Sequence, residues 1–397
     1  MKNLKTINVK YLALLGVVCL FCIGTLTSFI GLCGALEKGP IKIGAILDFT
    51  GVGADLDPNA LEGIKVALDE VNYQVAGRKI KLIVEDGASD PVKSLEKLKK
   101  LVERDGIRIN LATLMEHVML AMAPYAAEKK ILMSCYFNGP GELTEYGNWI
   151  LHPTTGYANT IPLGWYAYDV LGYRTMITVG SDYSGGYDFV GGAAEAFKQR
   201  GGKIVQQLWT PLGLADYGPY LSTIKKADTV MHFLASVMES ARFEKAYIDS
   251  GLKMPLLHIT QDGHYSEKAM KEFGDGLLGI IGESSYIWTR DDPINKKFVT
   301  AYKAKTGELP GADSVNGYSL TKLILAGLEA TGGDDSFDKL WPAVKKIKLK
   351  TPQGSLSFTD KGVGIIDVYI TKAVKKNGQY MLEPLKAYRG LTDPRIK

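Results

Sequence analysis

Short apolar runs alternate along this chain with segments whose apolar residues recur every three or four positions. Ile41, Ile43, Ala45, Ile46 and Leu47 form a nearly continuous apolar run, as expected of a parallel strand covered on both faces. Thr50-Gly51-Val52-Gly53 breaks it. From Ala60 onward, Leu61, Ile64, Leu68 and Val71 share one helical face. A strand, a glycine loop and a helix in that order place the loop at the carboxyl end of a parallel strand, where open α/β sheets bind ligands.

The alternation continues. Residues 79–85 read as a second strand, and Asp90-Pro91 opens a helix with Leu95, Leu98, Leu101 and Val102 on its apolar face. Residues 107–111 give a third strand, 118–129 a helix and 131–135 a fourth strand. The pattern then restarts. Strand 174–180, a loop at 182–186, helix 190–199, strand 203–209, strand 229–234, helix 238–250 and strand 256–260 follow. An apolar run over 277–288 leads to helices at 295–306, 315–330 and 337–346, and strands are expected at 354–358, 365–371 and 381–385. Strand–helix alternation at this spacing predicts an α/β fold with mainly parallel sheets in two units.

The first 35 residues stand apart. Lys2, Lys5 and Lys10 precede twenty apolar residues at 11–30, and Cys33-Gly34-Ala35 supplies small residues for cleavage near Ala35. The expectation is an exported, periplasmic protein with a signal peptide over 1–35; retention as a membrane anchor facing the periplasm is the alternative. Without those lysines the net charge of +4 becomes +1. That balance gives no reason to expect nucleic acid as a partner. Cys19, Cys22 and Cys33 fall in the leader, so Cys135 stands alone and reads as a small buried hydrophobe.

Candidate chemistry is sparse. His117, His152, His232, His258 and His264 show no metal-ligand spacing, and no metal or cofactor is expected. Asp55 and Asp57 resemble a carboxylate dyad, but Asp57-Pro58 reads better as a helix start. Neither a phosphate loop, nor a G-x-S-x-G elbow, nor a dinucleotide fingerprint is present, so no enzyme is expected.

The opening IKIGAILDFTG…ALEGIKVALDEVN resembles the start of periplasmic solute-binding proteins of the branched-chain amino acid (Leu/Ile/Val-binding) family. So do VEDGASDPVKSLEKLKKLV, HVMLAMAPYAAEKKILMS with PGELT, the SDYSGG loop, and YIDSGLKMPLL with TQDG, in the same order. The resemblance implies a type I periplasmic-binding fold: two Rossmann-like lobes joined by three hinge crossovers, closing on a small solute. It places lobe one at 41–152 plus 286–362 and lobe two at 153–285 plus 363–397. The crossovers fall near 153–156, 283–286 and 362–365. A monomer that delivers its solute to an ABC permease is implied.

Carried over singly, the family's contact positions fall on Leu56, Glu116, His117, Phe137, Asn138, Gly139, Tyr183, Ser236 and Asp262. Several depart from the family pattern. Glu116 stands where a serine commonly holds a carboxylate, and Gly139 replaces a hydroxyl residue. The covering tyrosine aligns with Gly185, leaving Tyr183 or Tyr187 to serve, and Asp262 matches the acid that commonly meets an ammonium group. Each has a structural reading too: Glu116 as a helix-start acid, Asp262 as a cap, Tyr183 as loop packing. An amino acid is the default solute. Glu116 and Asp262 together shift the expectation toward a cationic, amide or aromatic compound. A ligand-reading subunit for a membrane receptor is the rival function.

Overall fold

The computed structural model describes residues 39–397 apart from 112, so the leader expected over 1–35 lies outside the described residues. β1 (Ile41–Leu47) occupies the centre of a six-stranded sheet in the order β2-β3-β1-β4-β5-β6. Its partners are β2 (Gln74–Val75), β3 (Arg78–Asp86), β4 (Ile109–Asn110), β5 (Leu132–Cys135) and β6 (Trp149–Leu151). All pairings are parallel except β2 with β3. Five of the seven β1 residues are apolar and buried, which is why the run carries no alternation.

The second sheet holds β7 (Thr175–Ser181), β8 (Lys203–Thr210), β9 (Thr229–Phe233), β10 (Leu256–His258) and β11 (Ile281–Ser284) in parallel. β14 (Gly364–Lys376) joins antiparallel to β11, and β15 (Gln379–Leu391) pairs with β14. The hairpin of β12 (Leu349–Thr351) and β13 (Gly354–Phe358) hydrogen-bonds onto β14 as well. It therefore extends the second sheet. The architecture is α/β with two lobes.

The chain passes from the first sheet to the second after β6, and the segments after β6, after β11 and at Gly362 run close together. These segments are tied together. Leu151 N–H donates to the Gly362 carbonyl at 2.9 Å. Glu283 Oε1 accepts from Thr260 N–H at 2.7 Å and from the Asn159 amide at 3.3 Å.

Helices Asp57–Asp69 and Ala312–Ala330 approach so closely that a methyl group on Gly63 would overlap the Ser314 carbonyl. Asp90 caps helix Pro91–Lys99 as expected, accepting from Val92 N–H and Lys93 N–H at 2.8 and 2.9 Å.

Helix Gly156–Asp169 was not legible. It carries Pro162 and buries ten of its residues, so it shows no polar face to give a period. The loop expected at 182–186 is in part the first turn of a helix that starts at Ser184, and Cys135 is buried.

Candidate ligand-binding site

The segments that follow β1, β4, β5, β7, β9 and β10 reach one gap between the lobes. There Leu56, Leu114, Met115, Glu116 and Phe137 from the first lobe face Tyr183, Phe189, Phe233, Ala235 and His264 from the second. These side chains converge until about 10 Å³ remains between them. A solute enters only when the lobes part.

The walls are largely aromatic. Phe137 meets Phe189 across the gap with ring centroids 6.4 Å apart, and Phe189 stacks on Phe233 at 4.4 Å. Phe233 in turn stacks on His264 at 6.3 Å. Rings packed this closely fill the gap with one another and give it an aromatic, apolar lining. A wider groove of about 560 Å³ also opens between the lobes, along Asp55, Asn59, Met238, Lys271 and Asp313. It lacks the convergent strand ends.

Glu116 supplies the first polar group of the gap. It is the first residue of helix Glu116–Glu128, whose capping position is Met115, a residue unable to cap with its side chain. The Glu116 side chain is buried, and neither carboxyl oxygen has a hydrogen-bond partner. Burial pushes its pKa well above the carboxylate range, and the charges of Asp188 and Glu142 push the same way against Arg395. Burial thus favours the neutral acid at Glu116, the form with an O–H to donate and a carbonyl to accept.

His264 supplies the second polar group, and it is the end of a buried chain. Tyr265 O–H donates to Glu244 Oε1 at 2.5 Å, and His258 Nδ1 lies 2.8 Å from the same oxygen. His258 Nε2 lies 3.0 Å from His264 Nδ1, which also meets Ser240 Oγ at 3.0 Å. His232 Nε2 is 3.2 Å from Glu244 Oε1 but off the line of a hydrogen bond.

His232, Glu244 and His258 bring donor atoms within 4.8 Å of one another, a set whose residue types suit zinc. Sequence spacing hid this cluster, because the two histidines sit side by side on the paired strands β9 and β10. Burial pushes the Glu244 carboxyl up, but the His232 and His258 imidazoles outweigh it and hold the pKa at about 2. Burial also holds His258 down at about 4.

Of the residues expected at the site, Leu56, Glu116, Phe137 and Tyr183 line the gap together. His117 stands beside it, edge-on to the Tyr183 ring at 5.9 Å, with Nε2 3.3 Å from the Ser89 carbonyl. Tyr187 is half exposed and its hydroxyl goes to Asp182.

The remaining four are framework in this arrangement. Asn138, at φ 58°, accepts from Thr154 N–H through Oδ1 at 3.3 Å. Gly139 packs against Cys135 and Leu151, and Ser236 caps helix Val237–Asp249 by accepting from Glu239 N–H at 3.2 Å. Asp262 gives Oδ2 to Ser285 N–H, Ser285 O–H and Tyr286 N–H at 2.6, 2.9 and 2.9 Å. Its carboxyl thus holds the segment that follows β11. Phe189, Phe233 and His264 escaped sequence reading, although His264 follows directly after TQDG at a strand end.

A two-lobed fold with strand ends converging on one closable gap defines a solute-binding protein. The periplasmic binding protein family model matches residues 40–379, and the chain belongs to that family. It is 25% identical over 366 residues to Leu/Ile/Val-binding protein homolog 6 of Brucella suis biovar 1, covering 90% of this chain and 94% of that one. A solute-binding protein of an ABC transporter from Rhodopseudomonas palustris HaA2, solved with p-hydroxybenzoic acid, superposes with TM-score 0.85 at 27% identity. That match covers 90% of this chain and 99% of the other. A leucine-binding protein from Thermotoga maritima shares the fold, with TM-score 0.78 at 21% identity over 89% and 99% of the two chains. The protein is a solute-binding component of an ABC transporter, in a family that captures small molecules and delivers them to a permease. Among the described residues no helix is long and apolar enough to cross a membrane.

Proposed function

We propose that this protein captures a small aromatic acid bearing a hydroxyl group. The carrying observation is the gap lined by the Phe137, Phe189 and Phe233 rings beside Glu116, whose carboxyl has no partner. The acid end of the solute sits at the first lobe, where neutral Glu116 donates to it and the uncapped helix start adds N–H groups. The ring lies among the phenylalanines, with Leu56 and Tyr183 closing the sides. The p-hydroxybenzoic acid held by the Rhodopseudomonas palustris relative supports this class of solute.

A second reading follows from the same buried carboxyl. An ionised Glu116 would pair with the ammonium of an amino acid or a cationic solute instead. Calorimetry with 4-hydroxybenzoate, leucine and putrescine separates the two. Binding by the first alone supports the aromatic reading, and binding only by leucine or putrescine defeats it.

We propose the following processing and domain division for the same protein. Residues 1–35 are removed on export to the periplasm. Lobe one is 41–152 with 286–362, lobe two is 153–285 with 363–397, and the exported protein works as a monomer.

A further inference from the structure

We infer that His264 selects for a hydrogen-bond donor on the part of the solute facing the second lobe, and that Glu244 and His258 fix its polarity. The inference rests on the aromatic-solute reading and adds which end of the solute is read by which lobe. The argument is one of tautomers. An ionised carboxylate only accepts, so His258 must donate from Nδ1 to Glu244 Oε1, 2.8 Å away. A neutral His258 then has a bare Nε2. His264 Nδ1, at 3.0 Å from it, must carry the hydrogen, because two bare nitrogens at that distance would repel.

Ser240 Oγ, also at 3.0 Å, fits as a second acceptor for that N–H. His264 Nδ1 is thereby committed to the interior, and Nε2 is left as an acceptor for the gap that His264 lines. Among the described residues no hydrogen bond is made by Nε2.

The gap thus has two ends of different character. Glu116 offers an O–H on one side, and His264 offers a lone pair on the other. A solute with an acceptor at one end and a hydroxyl or N–H at the other satisfies both. An ether or a bare ring edge at the second end leaves the His264 nitrogen buried and unpaired, and sites built around a hydroxyl discriminate against analogues lacking it.

The exported protein, labelled at its histidine nitrogens, tests the tautomer without any solute. Nitrogen–proton correlation spectra at neutral pH, assigned with His264→Leu, should show His264 protonated at Nδ1 and bare at Nε2. In Glu244→Gln the amide can donate to His258, so both tautomers of His264 should appear while the melting curve stays cooperative. Calorimetry then compares 4-hydroxybenzoate with 4-methoxybenzoate. The wild type should prefer the hydroxyl at least ten-fold, Glu244→Gln should reduce that ratio, and His264→Leu should abolish it.

A proton on His264 Nε2 in the wild type, or a preference that survives His264→Leu, overturns the inference. So does one zinc per chain by elemental analysis, since a metal-bound His258 Nδ1 could not donate. If neither aromatic binds, the solute reading above is what fails, and the nitrogen spectrum still decides the tautomer.

Discussion

The tip of the Phe137 ring, on the first lobe, fills the place where a side chain on Gly263 of the second lobe would begin. A Cβ there would stand 2.6 Å from Phe137 Cζ. Gly263 lies in the short helix Gln261–His264 at an ordinary helical φ, so the missing side chain serves the contact between lobes and not the local backbone.

Gly263→Ala should therefore wedge the lobes apart. The substitution leaves each lobe's own packing intact, so the solute-free melting temperature should hold or rise slightly. Solute affinity should fall by about ten-fold, a cost of about 1.4 kcal/mol on closure. Small-angle scattering of the variant with saturating solute should show a less compact particle than the wild type. Equal compactness and equal affinity would mean that Phe137 moves aside freely.

Asp262 gives a prediction of a different kind. One of its oxygens accepts two backbone N–H groups and a hydroxyl from Ser285 and Tyr286. Asp262→Ala strands those donors in a buried place, which costs on the order of 3 kcal/mol. Thermal unfolding should show a loss of several degrees. Asp262→Asn keeps an acceptor oxygen and should lose much less. Burial raises the Asp262 pKa from 3.8 to about 6 despite those hydrogen bonds. The folded state then holds more protons between about pH 4 and 6 than the unfolded one, so this part of stability is full below pH 4 and lost as pH rises through 6. The Asn variant should show a shallower fall across that window. Identical slopes would assign the pH dependence to other buried acids such as Asp313.

Both lobes were legible because their strands are short apolar runs separated by amphipathic helices, as in β1 and helix Pro91–Lys99. The site was legible in part. Glu116 and Phe137 could be placed from the order of motifs, but the charge on Glu116 could not, since burial and not composition decides it. From sequence Asp262 reads as a solute contact or a cap, because its position after a strand carries no sign of the Ser285 and Tyr286 donors that meet its Oδ2. The chain from Glu244 to His264 was invisible for a topological reason. Its members are 14 and 6 positions apart, and only the pairing of β9 with β10 and the overlying helix bring them together.

The leader makes a prediction outside the described residues. Three lysines, an apolar stretch and Cys33-Gly34-Ala35 predict cleavage on export. Intact-mass analysis of the secreted protein should give an N-terminus near Leu36. A full-length protein held in the membrane fraction would establish the anchor instead.

The sign of the pH dependence of binding distinguishes the two solute classes, and Glu116 sets it. If the cleft opens to admit a solute, water should reach the carboxyl and bring its pKa nearer the ordinary range. Closure should bury it, and burial raises its pKa. Closing on a carboxylate therefore takes up a proton once the pH exceeds the ordinary carboxyl range, and affinity falls as pH rises, by at most about ten-fold per unit. A solute ammonium reverses this. It pairs with the ionised form, so its affinity rises with pH over the same range and levels off once Glu116 is ionised throughout. Calorimetry of 4-hydroxybenzoate between about pH 5 and 8, repeated in buffers of different ionisation enthalpy, counts the protons directly. The expected count for the wild type is one proton taken up per solute bound near neutral pH. Glu116→Gln keeps a donor and an acceptor but cannot titrate, so it should bind the aromatic acid with an affinity nearly flat in pH. If the Gln variant keeps the wild-type slope, Glu116 is not the group that titrates on closure; if the wild-type slope has the opposite sign, the cleft was built for a cation.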